Sequence, residues 1–244
     1  MLQYIKSVVT VVLLFLAGSL LAQEHYTAWF RGTVSVPLAT KFKVDGEFQH
    51  RRQNGYANKD MLANDLMFSF RSWVHYIPNE HIKLSVSPFA IFNNYAIIRQ
   101  PADEHIKPGR EIRFSAATEL TQSITRKLYF INRPAVEYRT YDNTLPDMVR
   151  WRERIALSYH LSKTVNLAIY DDLLLNMAGA INTIAYDQNR WGIDLEYRAL
   201  PKLKLNVGYM RIVRKPGTSS SLQRENNTIL NVTYLLQKRK KVVC

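Results

Sequence analysis

The side chains best suited to chemistry in this sequence are charged residues that recur at every second position. One such run occupies residues 150–154, and another occupies residues 194–198. Alternate residues of a strand project to the same face, so each run is expected to line one surface. The residues that we predict on this surface are Arg71, Arg113, Glu119, Glu137, Arg139, Arg150, Arg152, Arg154, Asp194, Glu196 and Arg198. Further charged residues with the same spacing are Arg31, Lys43, Arg51, Arg133 and Arg190, with Asp45, Glu47 and Glu111.

Two interpretations of this charged surface stay open. The arginines and carboxylates can interlock as a structural network of ion pairs, since charges taken out of water need partners. Alternatively, the excess of arginine over acidic residues can line a pathway or a pocket for a small anionic solute. The sequence alone does not choose between a filled interior and an open one.

Two histidines have serines nearby, as a lipid-modifying hydrolase or acyltransferase would need. The pairs are His160 with Ser158 or Ser162, and His75 with Ser69 or Ser72. Such catalysis also needs a third group that orients the histidine, and sequence spacing does not show one. The common catalytic motifs, such as Gly-x-Ser-x-Gly and His-Glu-x-x-His, do not occur. We therefore assign no catalytic residue.

Candidate metal ligands are few. Residues 171–172 are Asp-Asp and residues 103–105 are Asp-Glu-His, but two or three oxygen ligands fall short of a calcium cage. The one cysteine, Cys244, excludes an internal disulfide and every cysteine-rich metal motif. No glycine-rich phosphate loop occurs either. We predict no bound metal and no cofactor.

The elements that must position the charged residues are strands. From residue 26 to residue 236 almost every segment alternates polar and apolar side chains, which is the period of a strand with two different faces. In residues 41–51, for example, Phe42, Val44 and Phe48 oppose Lys43 and Glu47. The eleven candidate strands cover residues 24–36, 40–53, 61–77, 81–97, 110–122, 127–141, 148–160, 164–177, 186–198, 202–214 and 225–237.

The length and the connections of these segments favour a membrane barrel. Soluble strands are typically about 5–6 residues long, whereas membrane strands need roughly 9–11 and often more. Short connections near residues 37–40, 78–80, 123–126, 161–163 and 199–201 alternate with long ones near 54–60, 98–109, 142–147, 178–185 and 215–224. This is the layout of an antiparallel up-and-down transmembrane β-barrel, with short turns in the periplasm. We expect a barrel of 10 to 12 strands. Because bacterial single-chain barrels have an even strand number, ten or twelve is preferred to the eleven segments counted, with one segment holding two strands or one lying outside the wall.

In such a barrel the apolar face meets lipid and the charged face lines the lumen. Aromatic residues near strand ends are then expected to form girdles at the two membrane interfaces. The residues that we assign to these girdles are Tyr26, Trp29, Tyr76, Tyr95, Tyr129, Tyr141, Trp151, Tyr159, Tyr186, Trp191, Tyr209 and Tyr234.

The N-terminal residues predict export to the outer membrane. Residues 1–22 contain Lys6, an apolar run and small residues ending at Ala22, which is typical of a cleaved signal peptide. We divide the chain into this peptide, a single barrel domain over residues 23–237 and a basic tail over residues 238–244. Because the chain is predicted to be exported, we expect no nucleic-acid partner despite the net charge of +13. The expected partners are outer-membrane lipid, lipopolysaccharide, the barrel-assembly machinery and a small anionic solute.

Several short motifs resemble one known family. They are Trp29 in the first strand, the sequence Phe-Gln-His-Arg-Arg at 48–52, Glu-Tyr-Arg at 137–139, Arg-Trp-Arg-Glu-Arg at 150–154 and Gly-Tyr at 208–209. Together they resemble domain of unknown function 2490, a family of Bacteroidota. The resemblance spans nearly the whole chain after residue 22 and implies an outer-membrane barrel in a Gram-negative cell. It carries over no functional residue, because the family has no assigned activity.

The function predicted from the sequence is therefore a non-enzymatic outer-membrane barrel with a structural role or a porin-like role in transport of small solutes or anions. One alternative is an outer-membrane enzyme that modifies lipid or lipopolysaccharide. Another is a soluble periplasmic barrel that binds a ligand, since alternation alone does not show which face is buried.

Overall fold

The barrel wall consists of eleven strands. The computed structural model describes residues 25–142, 146–179, 186–215 and 222–236, so the predicted signal peptide and basic tail lie outside the described residues. The strands are β1 (His25–Pro37), β2 (Phe42–Gln53), β3 (Asn64–Tyr76), β4 (Ile82–Asn94), β5 (Gly109–Ser123), β6 (Leu128–Tyr141), β7 (Met148–His160), β8 (Val165–Ala178), β9 (Tyr186–Leu200), β10 (Leu203–Arg214) and β11 (Gln223–Leu235).

The sheet closes on itself through its first and last strands. Each strand pairs antiparallel with the next one along the chain, and β1 pairs with β11 in parallel, from His25 opposite Glu225 to Ser35 opposite Leu235. The predicted all-β barrel is confirmed, and so is the count of eleven segments. The expectation of an even strand number was wrong. Ten antiparallel steps connect the eleven strands, so β1 and β11 point the same way and the ladder between them is parallel.

The two faces of the wall differ as the alternation predicts. On the outer face Phe48, Phe70 and Val207 are each more than half exposed. On the inner face Ser87, Glu111 and similar polar residues are fully buried. The apolar residues therefore point away from the barrel and the charged residues point into it.

The two rims of the barrel are different. At one end, here called the turn rim, short connections span residues 38–41, 77–81, 124–127, 161–164 and 201–202. Asn79 shows how they close, because its Oδ1 accepts the backbone N–H groups of His81 and Ile82 at 2.9 and 3.0 Å. The opposite end, the loop rim, carries the longer connections, including the 3₁₀ turn Pro101–His105. Within the described residues, no helix has both the length and the apolarity to cross a membrane.

A small apolar cluster lies inside the barrel rather than outside it. Trp29, Tyr170, Met210, Ile212 and Ile229 pack together there, and Trp29 is only 5% exposed. The assignment of Trp29 to an interface girdle was therefore wrong. Its position in the strand decides this, because odd-numbered residues of β1 face the lumen and even-numbered residues face outward.

Candidate functional site: the charged lumen

The described residues enclose two chambers in the lumen, which we call the loop-side chamber and the turn-side chamber. The loop-side chamber has a volume of about 230 Å³, and the turn-side chamber about 360 Å³. Six residues line both chambers, and we call this set the waist: Arg31, Glu47, Arg71, Arg152, Arg154 and Asp194. The waist residues come from five different strands, so closure of the barrel is what brings them together.

The two chambers differ in charge. The loop-side chamber is lined by ten arginines and four carboxylates, and the turn-side chamber by five arginines and four carboxylates. Glu111, Glu137 and Glu225, each 1–2% exposed, are buried in the wall and bind lining arginines. Even with these three acids included, arginine is in excess on the loop side. That chamber is therefore the more electropositive one.

Cross-strand ion pairs hold the wall of the loop-side chamber. Glu111 lies 2.7 Å from both Arg113 and Arg139, which are register partners on β5 and β6. Glu137 accepts a hydrogen bond from Nε of its register partner Arg150 at 2.9 Å and lies 3.5 Å from Arg113. Opposite charges on neighbouring strands face each other at this spacing, so the register of β5, β6 and β7 builds the network.

The network continues toward the waist and the turn side. Arg152 donates from Nε to Asp172 at 2.7 Å, and Arg154 lies 3.6 Å from Asp194. Further pairs on the turn side are Glu119 with Lys83 at 2.7 Å and Arg133 at 3.8 Å, and Glu196 with Lys204 at 3.1 Å.

Nine of the eleven predicted surface residues form ion pairs. The two others, Arg71 and Arg198, have no carboxylate partner in the part of the chain that the structure describes. Arg198 is exposed near the turn rim and lines neither chamber. Arg71 belongs to the waist.

Four arginines of the loop-side chamber form no ion pair with any described carboxylate. We call Arg31, Arg51, Arg71 and Arg190 the unpaired arginines. The guanidinium carbon of Arg51 lies 3.4 Å from the centre of the Trp29 ring, and that of Arg190 lies 5.8 Å from it. Aromatic rings attract cations through their π-electrons, so Trp29 holds two guanidinium groups without neutralising them.

Hydrogen bonding of the unpaired arginines is incomplete. Arg51 Nη2 donates to Gln49 at 3.1 Å, and Arg71 Nη2 reaches Ser115 at 3.5 Å. The Nε atoms of Arg51, Arg71 and Arg190 are buried and have no hydrogen-bond partner among the described atoms. A guanidinium group has five N–H donors, so this cluster has donors left for a ligand. The sequence placed Arg31, Arg51 and Arg190 on the lumen face but did not distinguish them from the paired arginines.

The start of the β4–β5 connection is held against the loop-rim ends of β1 and β2. The side chain of Gln53, at the end of β2, is 1% exposed and accepts the backbone N–H of Ile98 at 3.2 Å. It also donates to the carbonyl oxygen of Ala96 at 2.8 Å and contacts His25 Nε2 at 2.9 Å. These contacts fix the start of the β4–β5 connection against β1 and β2.

The predicted histidine–serine pairs are not formed. Ser158 donates to Asn166 rather than to His160. His75 contacts neither Ser69 nor Ser72, but its Nδ1 lies 2.8 Å from Ser85 and its Nε2 lies 3.1 Å from Asp45.

This Ser85–His75–Asp45 chain has the residue types of a hydrolytic triad. Ser85 is 3% exposed and lines neither chamber, however, and Asp45 is also 3.0 Å from Lys43. A nucleophile must reach its substrate, so the geometry is that of a cross-strand polar chain between β2, β3 and β4.

The acidic residues considered as metal ligands either face opposite sides of the barrel wall or already accept hydrogen bonds from other groups. Asp172 faces the lumen and binds Arg152, whereas Asp171 binds Asn189 on the outer face. In the loop, Asp103 accepts the backbone N–H groups of Arg99 and Gln100 at 2.8 and 3.0 Å, which lowers the pKa of Asp103 below its ordinary value. No cluster of three potential ligands occurs among the described residues.

Comparison with solved structures finds several outer-membrane proteins that are similar at low sequence identity. No curated protein matches the chain by sequence. The NanC porin structure is 11% identical with a TM-score of 0.49, covering 82% of this chain and 94% of NanC. LpxR from Salmonella typhimurium is 8% identical with a TM-score of 0.47, covering 79% and 83%. OmpT, an outer membrane protein of Vibrio cholerae, is 12% identical with a TM-score of 0.40, and the match covers 77% of this chain and 57% of OmpT.

These likenesses concern the fold of the chain and not its role. The chain also matches a family model, described as "Protein of unknown function (DUF2490)", over residues 26–222. That range runs through β1 to β10, including both chambers' arginines. The resemblance noted from the short motifs is confirmed, and the chain belongs to the DUF2490 family.

Proposed function

We propose that this protein is an outer-membrane barrel that binds small anionic solutes in its loop-side chamber and lets them pass through its lumen. One observation carries the proposal: the chamber contains four arginines that have no carboxylate within ion-pair distance among the described residues. The function is non-enzymatic, and the ligand class is a small carboxylate, sulfate or phosphate.

The outer face supports a position in a lipid bilayer. Its exposed residues include Phe48, Phe70, Val86 and Val207, all more than half exposed. Soluble monomers rarely expose contiguous apolar patches larger than a few hundred Å², and a soluble barrel would place these side chains inside. Residues 1–22, as a signal peptide, would direct export, and the short turns would then face the periplasm.

The chemistry of the chamber supports an anionic ligand. Guanidinium groups bind carboxylate, sulfate and phosphate oxygens through paired N–H donors, and such bonds are stronger than neutral ones. Arg51 and Arg190 face one Trp29 ring, and Arg31 and Arg71 lie at the waist below them. An anion entering from the loop rim would meet the first pair and then the second.

The size of the chamber limits the ligand. A volume of about 230 Å³ lies below the roughly 300–1,000 Å³ of typical small-molecule pockets. The site therefore suits a compact solute rather than a polymer chain. The larger turn-side chamber has nearly balanced charges, so it would release an anion more readily than the loop-side chamber.

A purely structural network explains only part of the lumen. Ion pairs such as Glu137 with Arg150 hold the wall together, as a filled interior requires. Burying a cation without a counter-charge is unfavourable, so a structural role gives no reason for the unpaired arginines. A bound or passing anion does.

The position in the membrane can be tested by extraction. We expect washed membranes to keep the protein in alkaline carbonate and in high salt, and to release it in detergent. We also expect migration on gels to change with heating, because a closed barrel resists unfolding. Release by carbonate alone would contradict the bilayer assignment.

The proposed ligand class can be tested by conductance in planar bilayers under a KCl gradient. We expect a reversal potential that shows chloride permeating faster than potassium, and a current that millimolar sulfate or phosphate blocks. The double variant Arg51→Gln/Arg190→Gln should weaken the block by roughly tenfold or more, because each charge-assisted contact contributes about 1.5–3 kcal/mol.

The matched control is Arg198→Gln, which removes an exposed arginine outside both chambers and should leave the block unchanged. A folded barrel without conductance, or with preference for potassium, would contradict the proposal. So would a double variant that sulfate blocks as strongly as it blocks the unaltered protein.

A further inference from the structure

The outer face of the barrel carries two carboxylates where an apolar belt is expected. Glu153 lies between Arg152 and Arg154, which line the lumen, so it projects outward. Asp171 lies between the inward-facing Tyr170 and Asp172 and projects outward for the same reason.

Exposed apolar residues surround these two acids. Register places Asp171 opposite Ile155 on β7 and Trp191 on β9, which are 43% and 41% exposed. Ile193 on β9 and Val136 on β6 are exposed on the same face. Charged groups on the lipid-facing surface of a barrel are unfavourable, most of all near the middle of the bilayer, so this position calls for a partner.

The contacts that the structure provides are neutral ones. Glu153 Oε1 accepts from the Asn132 amide at 2.5 Å. Both carboxylate oxygens of Asp171 accept from the Asn189 amide, at 2.9 and 3.0 Å. Neither acid has a cationic partner among the described residues. The four side chains form a polar strip across β6 to β9.

An outward-facing arginine that lacks a carboxylate partner among the described residues lies on β10, two strands away from Asp171. Arg211 on β10 sits between Met210 and Ile212, which belong to the interior apolar cluster, so Arg211 also projects outward. Register places Arg211 opposite Trp191, which in turn lies opposite Asp171. Two strand spacings, roughly 9–10 Å, therefore separate Arg211 from Asp171, with an exposed tryptophan between them. Arg211 forms no ion pair within the part of the chain that the structure describes.

We propose that the outer face of β7 to β10, centred on Trp191, is the contact surface of a homodimer in which Arg211 of each copy pairs with Asp171 and Glu153 of the other. Copies inserted in the same direction are related by a twofold axis along the membrane normal. An axis through Trp191 exchanges β8 with β10, which brings the acids of one copy to the arginine of the other. Such an interface is self-complementary, as a twofold interface must be.

The second copy supplies ion-pair partners for both the acids and the arginine of this surface. Each acid gains a cation, Arg211 gains carboxylates, and the two Trp191 rings meet at the centre, where aromatic side chains contribute large contact areas. Attraction between opposite charges is stronger in the low dielectric of a bilayer than in water. The inference rests on the proposed membrane location, but not on what the lumen carries.

Cysteine cross-linking tests the placement of the axis. In a Cys244→Ser background, Trp191→Cys should give a disulfide-linked dimer when the protein is oxidised in membranes. The matched control is Phe70→Cys, an exposed aromatic position on β3 of the opposite wall, which should stay monomeric. Equal cross-linking at both positions, or none at Trp191→Cys, would overturn the proposal.

Charge reversal tests the pairing itself. We expect Asp171→Arg and Arg211→Asp each to raise the dimer dissociation constant in lipid nanodiscs by about tenfold or more, since each change makes two symmetric contacts repulsive. The double variant should restore most of the affinity. Heat-modifiable migration verifies that each variant is folded.

The remaining outcomes also decide the question. A folded protein that is monomeric in nanodiscs, or that carries bound lipopolysaccharide or another protein on this face instead of a second copy, contradicts the dimer. A double variant that does not recover contradicts the specific pairing. Carbonate extraction and conductance report on the proposed function separately, so failure of the dimer leaves those results standing.

Discussion

At the scale of single residues, the arginines of the lumen fall into two groups according to what holds them. Arg150 and Arg152 are held by carboxylates, whose negative charges balance them. Arg51 is held by the face of Trp29, which attracts the cation but leaves its charge in place. The same side chain can therefore stabilise the wall in one position and bind an anion in another.

Removing a wall carboxylate should destabilise the barrel strongly. Glu137 is 2% exposed and contacts both Arg150 and Arg113. In Glu137→Gln, the largely buried Arg113, Arg139 and Arg150 would share only the two carboxylates of Glu111 and Asp187. We expect the free energy of unfolding to drop by about 3–5 kcal/mol, measured by denaturant titration in detergent micelles. The control is Glu196→Gln, because the Glu196 side chain is 37% exposed and its pair with Lys204 should contribute about 0–1 kcal/mol. If the free energy of unfolding dropped equally in both variants, burial of Glu137 would not be the cause of the loss.

The fluorescence of Trp29 should report the charge of the loop-side chamber. Trp29 lines the chamber beside Arg51 and Arg190, so an anionic quencher is attracted to it and a cationic quencher is repelled. We expect iodide to quench part of the tryptophan emission that caesium does not reach. In Trp29→Phe this difference should decrease, and Trp73 of the turn-side chamber, beside Arg71 and Arg133, would account for what remains. The variant Trp151→Phe should retain the full difference. Equal access of iodide and caesium to Trp29 would contradict an electropositive chamber.

At the scale of strands, alternation alone predicted most of the architecture. The segment 148–160 coincides with β7 (Met148–His160), and the other boundaries agree within a few residues. Alternation is a local property, so a single sequence contains it. Parity of the strand number is not local, because it depends on how the first and last strands meet, and this is where the expectation of ten or twelve strands failed.

The candidate site was predictable in part for the same reason. Strand alternation placed Arg31, Arg51 and Arg190 on the lumen face correctly. Whether an arginine has a carboxylate opposite it depends on register between strands, which a single sequence does not show. The misplaced Trp29 was avoidable, since it shares its face with Arg31 two residues later.

Hydrogen bonds of a buried asparagine side chain stabilise the parallel junction of β1 and β11. Asn227 is fully buried, accepts a hydrogen bond from Thr27 on β1, and donates to the carbonyl oxygen of Met210 on β10 at 3.0 Å. We expect Asn227→Leu to lower the free energy of unfolding by about 1–3 kcal/mol, because buried partners lose their hydrogen bonds. Thr228→Val, on the outer face of the same strand, is the control and should change stability by less than about 0.5 kcal/mol. If both variants unfold alike, the parallel ladder does not depend on this side chain.

At the scale of the whole molecule, the odd strand number separates the two ends of the wall. β1 begins at the loop rim, where Tyr26 and Asn54 exchange hydrogen bonds, and β11 ends at the turn rim, where Leu236 N donates to the carbonyl oxygen of Ser35. In a barrel with an even strand number both ends would lie at one rim. The electropositive chamber opens toward the rim that carries the start of β1.

This arrangement predicts the sides of the membrane on which the two ends lie. An epitope inserted directly before His25 should bind antibody on intact cells, because the loop rim faces outward when the short turns are periplasmic. An epitope placed directly after Leu236 should bind only after the outer membrane is permeabilised, and one inserted beside the exposed Lys59 serves as the loop-rim control. Accessibility of both end epitopes from the same side would contradict the parallel pairing of β1 with β11. Such a result would require an additional membrane-crossing strand. The strand register that places Trp29 beside Arg51 and Arg190 would then be incorrect.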